Sequence, residues 1–404
     1  MGQYDRRIYW IWLAQVLGTG SHRVNALCER FPHAQEIYEM NGQARRESRA
    51  FTEKELLRLE TSSIAKAEAV FLRAQELGCH VLTPEDAAYP KRLRNIYAMP
   101  AVLYVKGDLS RIDEELVVSV VGTRSCTEYG RRAAQMLSKQ LAEKGAAVIS
   151  GLAAGIDTAA IEGALSAGGR AYAVIGCGMD IVYPAQNKKL MEWMCEHTAV
   201  LTEYPPATPP YPGNFPQRNR LISGLGLGTV VVEAGAGSGA LITAGHALEQ
   251  GKDVFGVTAR MDDRRSYGVF ELIRAGAKPV FEAEDILEEY RHLLPENGES
   301  FKKTAAEDTP ESQEGTEKKE APEKLPESIR VPEGLDETEE KIFSALGAEP
   351  VNVQMIAART GLGAGELLPA LTEMEIEGIV SSEPMGCFRL TAEYRQKEET
   401  ANNL

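Results

Sequence analysis

The chain has 404 residues, a length that exceeds one compact core and suggests two or three domains. Apolar residues make up 43% and charged residues 25% of the sequence, which excludes wholesale disorder and fibrous repeats. The net charge of −15 comes mostly from residues 296–340, which hold 15 acidic and 6 basic residues, so it does not exclude a nucleic-acid partner elsewhere in the chain.

Residues 1–80 are predicted to form a small all-α module. Helical apolar spacing breaks at Leu17-Gly18-Thr19-Gly20, and a second helix follows, capped by Ser21. Another helical run is predicted from Thr52 to Gly78. The break resembles a helix-hairpin-helix, whose backbone N–H groups hold a phosphate, and a simple helix-breaking turn is the alternative.

Residues 81–295 are predicted to form a doubly wound α/β domain. Short β-branched runs alternate there with amphipathic stretches; the runs are Val117–Val121, Ala147–Ile149, Ala171–Ile175, Val200–Thr202, Thr229–Glu233, Val254–Val257 and Pro279–Phe281. Nearly continuous apolar strands separated by helices imply a parallel, extended Rossmann-like sheet that is covered on both faces. The segment from Tyr89 to Gly107, just before this pattern, is predicted to be an extended clasp.

Residues 296–334 are rich in Glu, Lys, Pro, Ser and Thr and are predicted to be an acidic flexible linker. Residues 335–396 then show three helical patterns and a terminal strand pair, which is the arrangement of a winged helix. The third helical pattern, Ala364 to Gly378, contains four glutamates and no Lys or Arg. Because carboxylates repel phosphates, we do not expect this helix to read duplex DNA.

Glycine follows strand after strand at the carboxyl edge of the predicted sheet. The turns are Gly122-Thr123-Arg124, Ser150-Gly151, Gly155-Ile156-Asp157, Gly176-Cys177-Gly178 and Gly235-Ala236-Gly237-Ser238-Gly239. In an open α/β sheet such turns line one crevice, where helix N-termini favour an anionic ligand. Tight packing of a helix on the sheet is the alternative for any single turn.

Arginine distinguishes this crevice. Arg124 lies in the first turn, and Arg218-Asn219-Arg220 begins the helix after the fourth predicted strand. A guanidinium binds phosphate with two parallel hydrogen bonds, so these residues are candidate phosphate contacts. Salt bridges to Glu203 or Glu233 are the alternative.

Further cations and planar groups are available for a single strand. They are Lys188, Lys189, Tyr183, Tyr204 and Phe215. No catalytic set is visible, since the chain has neither GxxxxGK[ST] nor GxSxG. The cysteine and histidine spacings indicate no zinc site, and no run is long enough to span a bilayer. We therefore predict no catalytic residues, no metal, no cofactor, no membrane contact and a cytoplasmic location.

An ordered series of motifs closely resembles the DNA-processing DprA/Smf family. The motifs are Tyr89-Pro90, Leu103-Tyr104-Val105-Lys106-Gly107-Asp108, Val120-Val121-Gly122-Thr123-Arg124, Ser150-Gly151-Leu152-Ala153-Ala154-Gly155-Ile156-Asp157, Glu203-Tyr204-Pro205-Pro206, Phe215-Pro216-Gln217-Arg218-Asn219-Arg220 and Ser238-Gly239-Ala240-Leu241. The resemblance spans roughly residues 80–280, and the helical module and winged helix also look like those of many members.

The resemblance implies a cytoplasmic recombination mediator that binds single-stranded DNA, loads RecA in natural transformation and forms a homodimer. The resemblance also implies that the contacts with single-stranded DNA centre on Gly122, Thr123 and Arg124. With the crevice pattern, the predicted contacts further include Gly151, Arg218, Asn219, Arg220, Ser238 and Gly239.

Two departures from the family pattern stand out. The segment from Tyr204 to Asn214 has no lysine, unlike that of some members, and Thr258-Ala259 and Gly268-Val269-Phe270 depart on the far side of the crevice. A nucleotide-processing Rossmann enzyme of the phosphoribohydrolase type is the alternative function.

Overall fold

The computed structural model of the chain describes residues 4–259, 262–293, 336–346, 351–376, 379–383 and 387–391. It contains two compact units, Met1–Ser312 and Gln313–Leu404. The predicted linker, residues 296–334, lies outside the described residues. Among the helices of the described ranges, none has the length and apolar composition needed to cross a membrane.

The first unit begins with six helices. They are α1 (Arg6–Leu17), α2 (Arg23–Arg30), α3 (Ala34–Glu39), α4 (Gly42–Glu47), α5 (Glu53–Thr61) and α6 (Ile64–Glu76). A capping box starts α5, in which Thr52 and Glu55 each accept a hydrogen bond from the other's backbone N–H. The single helical run predicted from Thr52 is two helices, because Ser62 and Ser63 take extended backbone between them.

A nine-stranded sheet follows. Its strands are β1 (His80–Leu82), β2 (Leu103–Gly107), β3 (Val117–Val121), β4 (Ala147–Ser150), β5 (Ala171–Val174), β6 (Ala199–Thr202), β7 (Gly228–Val231), β8 (Asp253–Val257) and β9 (Lys278–Val280). The order across the sheet is β1-β2-β6-β5-β4-β3-β7-β8-β9. Strands β3 to β9 pair in parallel at the seven places where the apolar runs predicted strands.

The predicted clasp is part of this sheet. Strand β2 pairs antiparallel with β6, and β1 pairs antiparallel with β2 at the sheet edge. Strand β1 was not predicted from the sequence. Tyr89, between the two strands, is fully buried and donates its hydroxyl to the Pro100 carbonyl oxygen at 2.7 Å. The predicted clasp therefore supplies a strand to the sheet rather than only packing on it.

A helix follows each of the seven parallel strands. These helices are α7 (Glu128–Glu143), α8 (Ile156–Ser166), α9 (Lys188–His197), α10 (Asn214–Leu225), α11 (Gly239–Glu249), α12 (Tyr267–Arg274) and α13 (Glu284–Leu287). The chain builds the sheet outward from β3 to β6, then returns to the other side of β3 and continues from β7 to β9. The order thus reverses between β3 and β7, which confirms the predicted doubly wound class.

The second unit is a winged helix. Its elements are α14 (Glu337–Ala345), β10 (Val351–Asn352), α15 (Val353–Thr360), α16 (Ala364–Ile376), β11 (Val380–Glu383) and β12 (Cys387–Leu390). Ile342, Ile356, Leu371 and Met374 form the centre of a core of its own. Three helices and the β11–β12 pair are where the sequence predicted them, and the short β10 adds a third strand beside β12.

Candidate nucleic-acid interface

A cleft of about 780 Å³ lies at the carboxyl edge of the nine-stranded sheet. Its walls are the turns that follow β3, β7 and β8 together with the start of α10. The strand order reverses between β3 and β7, and this is the position at which open α/β sheets bind ligands. The predicted crevice is therefore present and is lined by the glycines after β3 and β7, whereas Gly151, Gly155, Gly176 and Gly178 do not line it.

The cleft is positively charged. Its arginines are Arg124, Arg218, Arg264 and Arg265, whereas Asp157 is the one carboxylate among its described lining residues. A cleft lined by charges of one sign concentrates their field, because its walls have a low dielectric constant. The cleft can therefore attract a polyanion although the whole chain carries a net charge of −15.

Arg124 is the exposed cation of the turn after β3. Its guanidinium carbon lies 4.7 Å from the centroid of the Phe215 ring, which is a cation–π contact. Within the part of the chain that the structure describes, no carboxylate forms an ion pair with it. The N–H hydrogen-bond donors of this guanidinium are therefore available to a ligand in the cleft.

Glu233 holds the turn that carries Arg124. Its carbonyl oxygen accepts from Thr123 N–H at 2.7 Å. Its carboxylate accepts from Thr127 N–H at 3.0 Å and from the Thr127 hydroxyl at 2.9 Å. Thr127 in turn caps α7 by accepting from Gly130 N–H at 2.9 Å. Glu233 thus fixes both ends of the turn, and among the described residues no salt bridge joins its carboxylate to a cleft arginine.

Arg218 lies in the floor of the cleft, where 3% of its surface is exposed. Its Nη1 donates to the carbonyl oxygen of Gly151 at 2.8 Å and to that of Val174. Burial raises the pKa of the neighbouring Asp157 carboxyl, and the Arg218 guanidinium partly offsets this rise. Arg218 therefore presents positive charge to the cleft from a fixed position.

Gly151 acts beneath the cleft rather than in its wall. A Cβ atom at this position would lie 2.5 Å from Asp157 Oδ2 and 2.7 Å from Arg218 Nη2. Any larger residue would displace the two charged groups. The structure therefore places this predicted contact outside the cleft lining and gives it a packing role.

Arg220 does not line the cleft. Its Nη2 donates to Glu203 Oε2 at 2.6 Å, with side-chain exposures of 6% and 7%, and its Nε donates to the Ala98 carbonyl oxygen at 3.0 Å. A guanidinium bonded in this way has no free edge for a phosphate. For Arg220 the geometry favours the salt-bridge alternative over the predicted strand contact.

The other predicted contacts line the cleft. They are Gly122, Thr123, Asn219, Ser238 and Gly239. Asn219 Nδ2 donates to the Gly239 carbonyl oxygen at 3.2 Å, which ties α10 to the start of α11. Ser238 is the N-cap of α11 and accepts from Ala240 N–H at 3.4 Å.

Two of the three predicted planar side chains face the cleft. Tyr183 and Phe215 line it with ring centroids 5.4 Å apart, and 41% of Tyr183 is exposed. Tyr204 is buried, and its hydroxyl donates toward Gln217 Oε1 at 3.0 Å. Tyr204 is therefore unavailable for base stacking, and Lys188 and Lys189 are not among the lining residues.

The Leu17–Gly20 turn is occupied by a contact within the protein. Gly20 N–H donates to Glu203 Oε1 at 3.1 Å, and Gln217 Nε2 donates to the Thr19 carbonyl oxygen at 2.7 Å. The turn thus docks on α10 and on the residue after β6. This geometry favours the simple turn over a phosphate-binding hairpin.

Arg264 and Arg265 also line the cleft, and the sequence motifs did not predict them as site residues. They lie on a short 3₁₀ turn after β8, and no motif marks them. Their position after a parallel strand was the one available signal. No group of three or more His, Cys, Asp and Glu side chains with metal-binding geometry occurs among the described residues.

Comparison with known proteins places the chain in a family. Residues 80–291 match the family model described as DNA recombination-mediator protein A, and residues 326–386 match the DprA winged helix domain. The chain is 33% identical to Protein Smf of Synechocystis sp. over 394 residues, which are 94% of this chain and 98% of that protein. The chain belongs to the DNA recombination-mediator protein A (DprA) family.

Two further relatives support the DprA assignment. DNA processing protein DprA of Bacillus subtilis is 40% identical over 236 residues, covering 58% of this chain and 78% of that protein. The X-ray structure of DprA from Streptococcus pneumoniae has a TM-score of 0.62 and 33% identity, covering 72% of this chain and 99% of that chain. The predicted resemblance to the family is thus confirmed.

Proposed function

We propose that the cleft binds single-stranded DNA through its phosphate backbone and that the protein acts as a recombination mediator rather than as an enzyme. The observation that carries the proposal is the charge of the cleft, in which four arginines face one carboxylate. Binding of single strands without sequence preference requires cations that follow the backbone and planar groups on which bases stack. Arg124 supplies an exposed cation, and Tyr183 and Phe215 supply the rings.

The proposed strand contacts are Gly122, Thr123, Arg124, Asn219, Ser238 and Gly239. Arg218 is proposed to act on the strand through its charge, because 3% of its surface is exposed and its guanidinium donates to main-chain carbonyl oxygens. Gly151 and Arg220 are assigned supporting roles, because the first makes room for Arg218 and the second pairs with Glu203. Arg124 is expected to contribute most, since it is exposed and its neighbours fix its turn.

The proposal extends to partners on the strength of family membership. As a DprA-family protein, the chain is proposed to load RecA on the bound strand in natural transformation, to act as a homodimer and to reside in the cytoplasm. RecA assembly on a protein-coated single strand, with and without this protein, tests the loading step. Sedimentation at several concentrations tests the dimer.

The binding test compares single-stranded and duplex oligonucleotides over a range of salt concentrations. We expect a preference for the single strand and a logarithmic salt slope of about 0.7 per phosphate bound. Equal affinity for duplex, or affinity that does not change with salt, contradicts the proposal. Release of free base from nucleoside monophosphates would instead support the phosphoribohydrolase-type alternative.

A further inference from the structure

Two arginines of the cleft stand on the far side of β7 from Arg124. Arg264 and Arg265 follow β8, whereas Arg124 follows β3, and β7 lies between those two strands. Neighbouring strands are about 4.8 Å apart, so the two turns leave the sheet edge about 10 Å apart. The cleft therefore holds exposed positive charge at two separate places along the edge.

Both side chains are exposed, and neither is held by a buried partner. Arg265 Nε lies 3.8 Å from Asp263 Oδ1, with 57% of the arginine side chain exposed. A loose contact of this kind adds little to stability and leaves most guanidinium donors open. Arg264 forms no ion pair within the described residues.

The backbone that carries these side chains is fixed although the side chains are exposed. Gly268 N–H donates to the Ala234 carbonyl oxygen at 2.8 Å, and Ser266 is buried. A Cβ atom at Gly268 would lie 2.7 Å from that same oxygen, so only glycine permits this approach. The Asp263 side chain also accepts from Arg265 N–H at 2.9 Å. The turn after β8 is thereby pinned to the loop after β7.

We infer that Arg264 and Arg265 contact the phosphodiester backbone of a bound single strand, which then crosses the sheet edge from the turn after β3 to the turn after β8. The inference rests on the proposed function and deepens it. Arg124 alone defines one point of contact and no direction, whereas two fixed points define a path. The path passes the loop after β7, whose residues Gly235, Gly237 and Gly239 present backbone without side chains.

The test is the double variant Arg264→Ala/Arg265→Ala in the full chain, compared with Arg274→Ala/Arg291→Ala. The control removes the same charge from two exposed arginines outside the cleft, which pair with Glu271 and Glu284. We expect the cleft variant to bind a long oligothymidylate about tenfold more weakly than the control at low salt, and its salt slope to fall by about 0.7 for each phosphate that the variant no longer binds. Arg264→Lys/Arg265→Lys should restore most of the slope.

Strand length supplies a second readout. An oligothymidylate too short to reach from Arg124 to the turn after β8 should bind the double variant and the control equally. If the double variant binds the long strand with the affinity and slope of the control while Arg124→Ala weakens binding, the second contact is wrong and the proposed function stands. If the unmodified protein does not bind single strands, the proposed function fails and this contact fails with it.

Discussion

The turn after β3 and the inner face of α10 both carry arginine in motifs that predict phosphate contacts, but they hold it in opposite ways. Arg124 is exposed, rests on the Phe215 ring and has its turn fixed by Glu233. Arg220 is buried and bonded to Glu203 and Ala98. Residue type is the same in the two places, so burial and bonding partners decide whether an arginine binds a ligand or supports the fold.

The largest expected effect is the loss of stability on removing Arg220, the buried arginine. Arg220→Ala leaves the Glu203 carboxylate buried without its cation, although Gly20 N–H still donates to it. Breaking a buried pair in this way lowers the free energy of unfolding by about 3–5 kcal/mol. Denaturant unfolding of the variant measures this decrease.

A matched variant separates the effect of charge from the effect of packing. Glu203→Gln/Arg220→Met removes both charges and keeps similar side-chain volume, so we expect it to be more stable than Arg220→Ala. Single-strand affinity of either variant, measured where it is folded, should stay near that of the unmodified protein. A large decrease of affinity in a well-folded Glu203→Gln/Arg220→Met protein would return Arg220 to the strand contacts.

For Arg124, the exposed arginine, we expect the reverse: weaker binding of single strands and little change in stability. Arg124→Ala should weaken single-strand binding by about 1–3 kcal/mol, the range for removing a charge-assisted hydrogen bond. Arg124→Lys should restore part of this, since lysine keeps the charge and lacks the planar fork. The free energy of unfolding should change little, because Arg124 forms no ion pair within the described residues.

Melting temperature and single-strand affinity are measured on the same preparation of each variant. A variant that melts earlier but binds normally would show that Arg124 supports the fold as Arg220 does. Unchanged affinity in a well-folded Arg124→Ala protein refutes the assignment outright.

The sequence predicted the sheet well because parallel strands are buried on both faces. Each of the seven apolar runs from Val117 to Phe281 contains a strand, and the six runs from Val117 to Val257 belong to strands that are buried on both faces. The last strand, β9, lies at the sheet edge, where Pro279 is exposed. Strand β1 was missed because it has three residues and lies at the edge, where its exposure alternates. The break at Ser62 and Ser63 was missed because both flanking segments share helical spacing.

The site was predicted less completely, for a physical reason. The motifs place Arg124 in a turn after a strand and Arg220 on the following helix of another strand, but they do not show whether either side chain faces the cleft or the interior. Arg220 lies two residues from Arg218 on α10, and helical rotation carries it to the inner face, toward Glu203. Arg264 and Arg265 were missed because they reach the cleft only through the packing of Gly268 on Ala234.

A smaller effect is expected from Asp157, the carboxylate beside Arg218 in the floor of the cleft. Burial raises the pKa of Asp157 above its ordinary value of 3.8. Because the folded chain holds this proton more tightly than the unfolded chain, ionised Asp157 lowers stability at pH values above its folded pKa. That penalty shrinks as the pH falls below the folded pKa and is gone below the ordinary value. Protonation also removes the one carboxylate among the described cleft residues.

Single-strand affinity should therefore rise as the pH falls through the pKa of Asp157, by about 1 kcal/mol or less. Asp157→Asn should flatten this part of the pH profile, while its amide oxygen can still accept from Gly151 N–H as the carboxylate does at 3.1 Å. Affinity is measured across the acid range for both proteins at constant ionic strength. The same pH dependence in Asp157→Asn would assign the titration to another group.

The smallest expected effect comes from removing the winged helix, whose helix α16 exposes negative rather than positive charge. Glu373 and Glu375 of α16 are exposed, and carboxylates at such positions repel phosphates. The winged helix has its own core, and the cleft is built entirely from residues of the first unit. Deleting residues 296–404 should therefore change single-strand affinity by no more than about 0.5 kcal/mol, the usual range for changes away from a site.

Affinity and salt slope are compared between the full chain and the truncated one, with unfolding measured on both. A large decrease of affinity in a truncated protein that remains folded would show that the second unit contacts the strand, and that the sign of exposed charge on α16 is a poor guide to its role.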